Sequence, residues 1–84
     1  MKGPVPFELN VIGLRVEEAL QGVEGFLDRA YARNIKRVTI IHGFGTGALK
    51  NGIRQYLRNS HYVKSIEDGP ISAGGGGQTV VILK

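Results

Sequence analysis

Cysteine is absent from these 84 residues. That excludes a disulfide scaffold, a thiolate metal site and a cysteine nucleophile. It also fits a reducing cytosol, so a cytoplasmic location is expected. No run approaches the ~18 consecutive apolar residues of a membrane span, and no membrane partner is expected. The stretch Met1 to Asn10 holds two prolines and one lysine, a composition unlike a signal peptide. The chain is too short for two hydrophobic cores and reads as one domain.

Acidic residues are scarce where basic ones gather. Eleven Lys and Arg against seven Asp and Glu give a net charge of +4. No acid falls between Asp28 and Glu67, whereas Arg29, Arg33, Lys36, Arg37, Lys50, Arg54, Arg58 and Lys64 do. A polyanion is the natural partner of such a stretch, although a solvated basic face has the same composition.

Met1 to Pro6 carries Gly3, Pro4 and Pro6 and reads as a linker, which leaves room for a longer parent chain. Residues 7–84 form the expected domain. Phe7 to Ile12 opens in strand alternation, with Phe7, Leu9 and Val11 on one side, and Gly13 ends it. Val16 to Ala32 has helical periodicity: Val16, Ala19, Leu20, Val23, Phe26, Leu27, Ala30 and Tyr31 make one apolar stripe. Glu17 and Glu18 in its first turn and Arg29 near its end complement the helix dipole. Gly22 and Gly25 either weaken this helix or let it pack closely on the sheet. Asn34 is the expected C-terminal cap.

Arg37 to Ile41 reads as a buried central strand. A glycine-rich loop, His42 to Gly47, leads into a second helix, Ala48 to Asn59, with Leu49, Ile53, Tyr56 and Leu57 on its core side. Tyr62 to Asp68 is a more polar strand, Gly69 to Gly77 a loop, and Thr79 to Leu83 a strand buried on both faces. The order is βαβαββ. Helical crossovers make the first three strands parallel, and the last two form an antiparallel pair. The apolar strands belong in the centre, giving a four-stranded mixed sheet of order 1-2-4-3. Two helices cover one face, so the fold class is a two-layer α/β sandwich with one sheet face partly open.

The densest chemical signal is His42-Gly43-Phe44-Gly45-Thr46-Gly47, between a strand and a helix. Three glycines let backbone N–H groups converge, and the following helix start adds partial positive charge, a setting suited to phosphate. Lys50, Arg54 and Arg58 recur at every fourth residue and form a basic row leading away from it. Gly43, Gly45 and Ala48 match the dinucleotide fingerprint GxGxxG/A, but four strands cannot build the sheet that motif serves. A P-loop fails, because Ala48 and Leu49 replace its second Gly and its Lys. His42, at the end of a central strand, is placed for general acid or base work on a phosphodiester, or for capping the loop through a backbone hydrogen bond. Asn10 and Arg15 should end on the same rim, where Arg15 could clamp phosphate. Phe44 can stack on an unpaired base or pack on a neighbouring loop. Glu67 and Asp68 read as a solvated pair, and Gly74 to Gly77 as a close-approach segment or a flexible turn.

At these residues the chain resembles the Smr (small MutS-related) domain family. Leu9-Asn10-Val11-Ile12-Gly13 before Glu17-Glu18-Ala19, His42 to Lys50, and Gly74 to Val81 correspond to three family motifs in order. The run Leu14 to Ala19 is most similar to the C-terminal Smr domains of bacterial MutS-two-type proteins. The resemblance implies a βαβαββ fold like the C-terminal half of translation initiation factor three. It implies DNA or RNA binding, often with nicking, inside a larger ATPase of recombination control or ribosome-associated processes. The ribosome and assembly through a parent chain thereby become expected partners, and Mg²⁺ or Mn²⁺ an allowed cofactor, although the residues themselves make none evident. The resemblance carries His42, Gly43, Gly45, Thr46 and Gly47 over as the nucleic-acid or catalytic loop, and Lys50 as a phosphate contact. Three positions depart from the family, first among them Asn10 in place of its Asp and Ile12 in place of its Arg or His. Asn10 cannot be a carboxylate base, and Phe44 replaces a frequent Lys. The expected site is therefore His42 and Asn10 for catalysis, with Arg15, Gly43 to Gly47 including Phe44, Lys50, Arg54 and Arg58 for phosphate. Endonuclease, non-catalytic nucleic-acid module and protein adaptor are the three readings.

Overall fold

The computed structural model describes residues 7–70 and 75–84. The expected linker at 1–6 and Gly74 of the glycine segment lie outside the described residues. Six elements follow in order: β1 (Glu8–Asn10), α1 (Val16–Ala32), β2 (Arg37–Ile41), α2 (Ala48–Arg58), β3 (Val63–Asp68) and β4 (Gln78–Leu83). A single 3-10 turn at Gly75–Gly77 leads into β4. The sheet order is β1-β2-β4-β3. β1 runs parallel to β2, and β4 runs antiparallel to both β2 and β3. The apolar strands thus occupy the centre and the polar ones the edges, as burial requires.

Alternation sorts the side chains. Val38 and Ile40 of β2, with Val81 and Leu83 of β4, join Leu27 of α1 and Ile53 and Leu57 of α2 in one core. Thr39 and Ile41 point to the helix-free face and are half-buried. On that same face Val80, opposite Thr39 and Glu67, is only 2% exposed, so β4 is covered on both sides.

Several boundaries differ from the sequence reading, each for a local reason. β1 covers Glu8–Asn10 rather than 7–12. Phe7 has a positive φ of 56°, and the Asn10 Oδ1 accepts the Ile12 N–H at 2.9 Å. That side-chain bond turns the chain away from the sheet. α2 ends at Arg58; Asn59 is its cap, donating from Nδ2 to the Gln55 carbonyl at 3.0 Å. β3 starts at Val63, one residue after the predicted Tyr62. Tyr31, expected on the buried stripe, is half exposed and packs its ring on Tyr62 at 4.8 Å.

Asn34 closes α1 as expected. It has a φ of 62°, its N–H reaches the Tyr31 carbonyl, and the Ile35 N–H reaches the Ala30 carbonyl. This is the Schellman arrangement. The close-packing role read for Gly22 and Gly25 is not found: a Cβ on Gly22 would meet nothing within 4 Å, and one on Gly25 only the Arg29 guanidinium. The close approach lies at Gly52, where a Cβ would sit 2.9 Å from Val16 Cγ1. Helix α2 packs against the start of α1 there, which pins the two walls of the site described next.

Candidate functional site

The turn after β1 and the glycine loop after β2 end at one rim, because parallel neighbouring strands finish on the same side. Between them lies a cleft of about 500 Å³, lined by Gly13 to Glu17 on one wall and by His42 and Phe44 to Leu49 on the other. Hydrogen bonds fix both walls. The Gly77 carbonyl accepts N–H bonds from His42 (3.1 Å) and Gly43 (2.9 Å), which ties the loop to the entry of β4. The Gly47 N–H closes the loop on the Phe44 carbonyl at 3.0 Å. On the other wall, the Glu18 carboxylate accepts the Arg15 N–H at 3.0 Å.

Helix α2 starts at Gly47, whose φ of 88° is a left-handed conformation that other residues adopt only with strain. Among the described residues no side chain caps this start well. Thr46 Oγ1 accepts the Ala48 N–H at a long 3.3 Å, and the first turn carries no acid. The positive end of the helix therefore faces the cleft with no acid in its own first turn, an arrangement that favours an anion, while Glu17 of α1 lines the opposite wall.

His42 lies behind this surface, only 3% exposed. Its Nδ1 is 2.9 Å from the Gly43 carbonyl, and its Nε2 is 2.8 Å from Thr79 Oγ1. A carbonyl only accepts, so the partners assign the proton to Nδ1 and make Nε2 the acceptor of the Thr79 hydroxyl. Thr79 Oγ1 in turn accepts from Arg54 Nε at 3.0 Å, and Arg54 forms an ion pair with Asp68. Donation thus runs from Arg54 through Thr79 to a neutral His42. Burial, then the Arg54 and Lys50 charges, hold the imidazole pKa below its ordinary 6.5, outweighing the opposing bond to Gly43 and the Asp68 charge. The Arg54 guanidinium, by bond and by charge, holds Asp68 below the usual carboxylate range.

The predicted residues therefore part into groups. Arg15, Phe44, Gly45, Thr46 and Gly47 line the cleft with the edge of His42. Gly43 lies beneath the rim, against the exposed Ile12. Lys50 follows in the first turn of α2, and its Nζ reaches toward Gly76. Asn10 is not brought to the cleft: opposite Ile41 in register, it faces the helix-free side and holds the β1 turn. The basic row divides. Arg54, with its side chain 18% exposed, is committed to Asp68 and Thr79. Arg58 lies two turns beyond Lys50, about 12 Å along the axis, and lines a separate groove with Lys64. Sequence reading missed Glu17 in the cleft wall and the roles of Thr79 and Asp68. Glu17 was legible as the residue two positions after Arg15, whereas Thr79 and Asp68 meet Arg54 only through β4 and β3. Among the described residues no three His, Asp or Glu side chains converge. Among the described residues, no helix is long and apolar enough to cross a membrane.

Fold and cleft define a two-layer α/β domain with a glycine-loop cleft at the carboxyl ends of two parallel strands. The chain belongs to the Smr domain family, whose sequence profile matches residues 9–84. It is similar to the endonuclease MutS2 of Clostridioides difficile (strain 630), 46% identical over 82 residues, which cover 98% of this chain and 10% of that protein. A second relative, the endonuclease MutS2 of Listeria welshimeri, is 48% identical over 81 residues, covering 96% and 10%. The chain thus spans about a tenth of the length of these curated relatives. Among solved structures, the Smr domain of Thermus thermophilus MutS2 superposes with a TM-score of 0.90 at 42% identity, covering 93% of this chain and 98% of that one. YdaL, a stand-alone small MutS-related protein from Escherichia coli, gives 0.89 at 26% identity, covering 96% and 66%.

Proposed function

We propose that this Smr domain grips DNA or RNA by seating a backbone phosphate in the cleft at the start of α2. The observation that carries this reading is the cleft itself: an α2 start without an acid or a good cap, Arg15 on the facing wall, and Lys50 in the first turn. The amides of the first turn take the phosphate oxygens, Arg15 forks onto them, and Lys50 adds a point charge. Arg58 and Lys64 form a second, separate basic contact. In the longer setting that the resemblance to MutS-two-type proteins implies, the domain supplies this grip to a MutS-like ATPase acting in recombination control or at ribosomes. As a test, Lys50→Ala should weaken binding to many sequences about equally and lower the salt slope by roughly 1. Unchanged affinity and slope would remove Lys50 from the footprint.

Phosphodiester nicking is a second reading, favoured by the edge of His42 in the cleft wall and by relatives named endonucleases. In hydrolysis, water adds to phosphorus, one P–O ester bond breaks, and the leaving oxygen takes a proton. His42 Nε2 can accept the proton of that water only after it releases the Thr79 hydroxyl. In the resting arrangement His42 instead holds the loop through Gly43. Nicking of supercoiled plasmid and structured RNA, with and without Mg²⁺ or Mn²⁺, compares wild type with His42→Ala while binding is recorded. Cleavage lost with binding retained assigns His42 to the chemistry. Binding without cleavage in the wild type leaves the binding module as the function.

A further inference from the structure

Phe44 is 67% exposed, the most exposed of the large apolar side chains among the described residues. Single exposed apolar residues are ordinary and mean little alone. This one has a built seat. A Cβ on Gly76 or on Gly77 would lie 3.3 Å from a ring carbon of Phe44, so the ring rests on bare backbone. The backbone beneath it is itself held, since the Gly77 carbonyl takes the N–H groups of His42 and Gly43. Lys50 Nζ lies 3.5 Å from the same Cβ position on Gly76, which puts a cation at the edge of the seat. The cleft opens on the other side, with Phe44 in its wall.

A supported aromatic ring, an adjacent cation and an anion cleft are together the parts of a single-strand site: a stacking face beside a phosphate grip. An intact duplex hides its base faces in its own stack, and a phenyl ring has no polar group to read base edges in a groove. We propose that Phe44 is a base-stacking platform and that the cleft takes unpaired nucleotides, in a single strand or at an extruded base, in preference to duplex. This rests on the nucleic-acid reading above and names the substrate class for it. Every base offers a π face, so the platform is tolerant of sequence, and both ribo- and deoxyribonucleotides fit it.

The chain has three tyrosines but no tryptophan, so Phe44→Trp installs a sole indole reporter at the platform, excited selectively at wavelengths the tyrosines do not absorb. Oligothymidylate and oligouridylate should quench it, and a blunt mixed-sequence duplex should quench it far less. In parallel, Phe44→Ala should lower the ratio of single-strand to duplex affinity about tenfold. Gly77→Ala, which crowds the ring from beneath, should lower it less, with circular dichroism confirming the fold of each variant. Equal quenching by duplex and single strands, or an unchanged affinity ratio in Phe44→Ala, overturns the platform while leaving the phosphate grip standing. Absence of salt-sensitive binding of the wild type to any of the three probes overturns both.

Discussion

Helix α1 starts from Arg15 in extended backbone, with φ −73° and ψ 158°, and carries Glu17 and Glu18 in its first turn. Glu18 folds back to accept the Arg15 N–H. Helix α2 starts from Gly47 in the left-handed region, has no acid in its first turn, and places a lysine there instead. Both starts border the same cleft. The first offsets its own partial charge with carboxylates, and the second leaves it for something else to neutralise. A helix optimised for stability alone would look like α1. The omission at α2 is the feature on which the proposed phosphate grip rests, and it distinguishes two helix ends that sequence periodicity treats alike.

The comparison can be broken first at the caps themselves. Gly47→Ala forces a side chain into a φ of 88° and should cost about 1–2 kcal/mol. Arg15→Ala, in a conformation open to any residue, should stay within about 0.5 kcal/mol. Urea unfolding midpoints measure both, and equal losses would abolish the asymmetry between the two starts. Charge in the first turns is the next lever. Lys50→Glu should stabilise the fold by about 0.3–1 kcal/mol while weakening nucleic-acid binding. Glu18→Ala should destabilise it by a similar amount. Stability and affinity moving together in Lys50→Glu would show that the α2 start is not reserved for an anion.

The smallest effect concerns what α2 holds behind its start. Arg54 reaches His42 through Thr79, and the imidazole is kept neutral below its ordinary pKa of 6.5. Above that pH both folded and unfolded chains hold a neutral ring, and the contribution is fully present. As pH falls below 6.5 the unfolded chain takes the proton first, so stability declines until the folded ring is also protonated. The melting temperature should therefore drop on mild acidification, and His42→Gln should lose that part of the slope. An identical slope in the variant would place the titration elsewhere.

The βαβαββ order, the central and edge strands, the Schellman cap at Asn34 and the glycine loop were legible in the sequence. Each rests on local periodicity or on a turn residue with one conformational use. The meeting of Arg15 with the loop was also legible, because two parallel neighbours must finish on one rim. Asn10 and Arg54 were not. Asn10 faces away from the cleft because strand alternation sends it opposite to Leu9 and Val11. Arg54 leaves the basic row because Asp68, fourteen residues on, arrives beside it at the end of β3. The spacing that suggested a continuous row fixes only where a side chain leaves the helix, not what reaches it across the sheet.

By itself the sequence determined the elements, their order in the sheet and the position of the glycine loop between a central strand and a helix. These depend on hydrophobic pattern, on glycine placement and on net charge, all properties of short stretches of chain. Tertiary structure decided which charges remain free for a ligand, which nitrogen of His42 carries the proton, and where Phe44 rests. Those depend on partners brought together from β3, β4 and the turn at Gly75–Gly77, and contacts across such distances are set by the packing of the sheet rather than by any local run of residues.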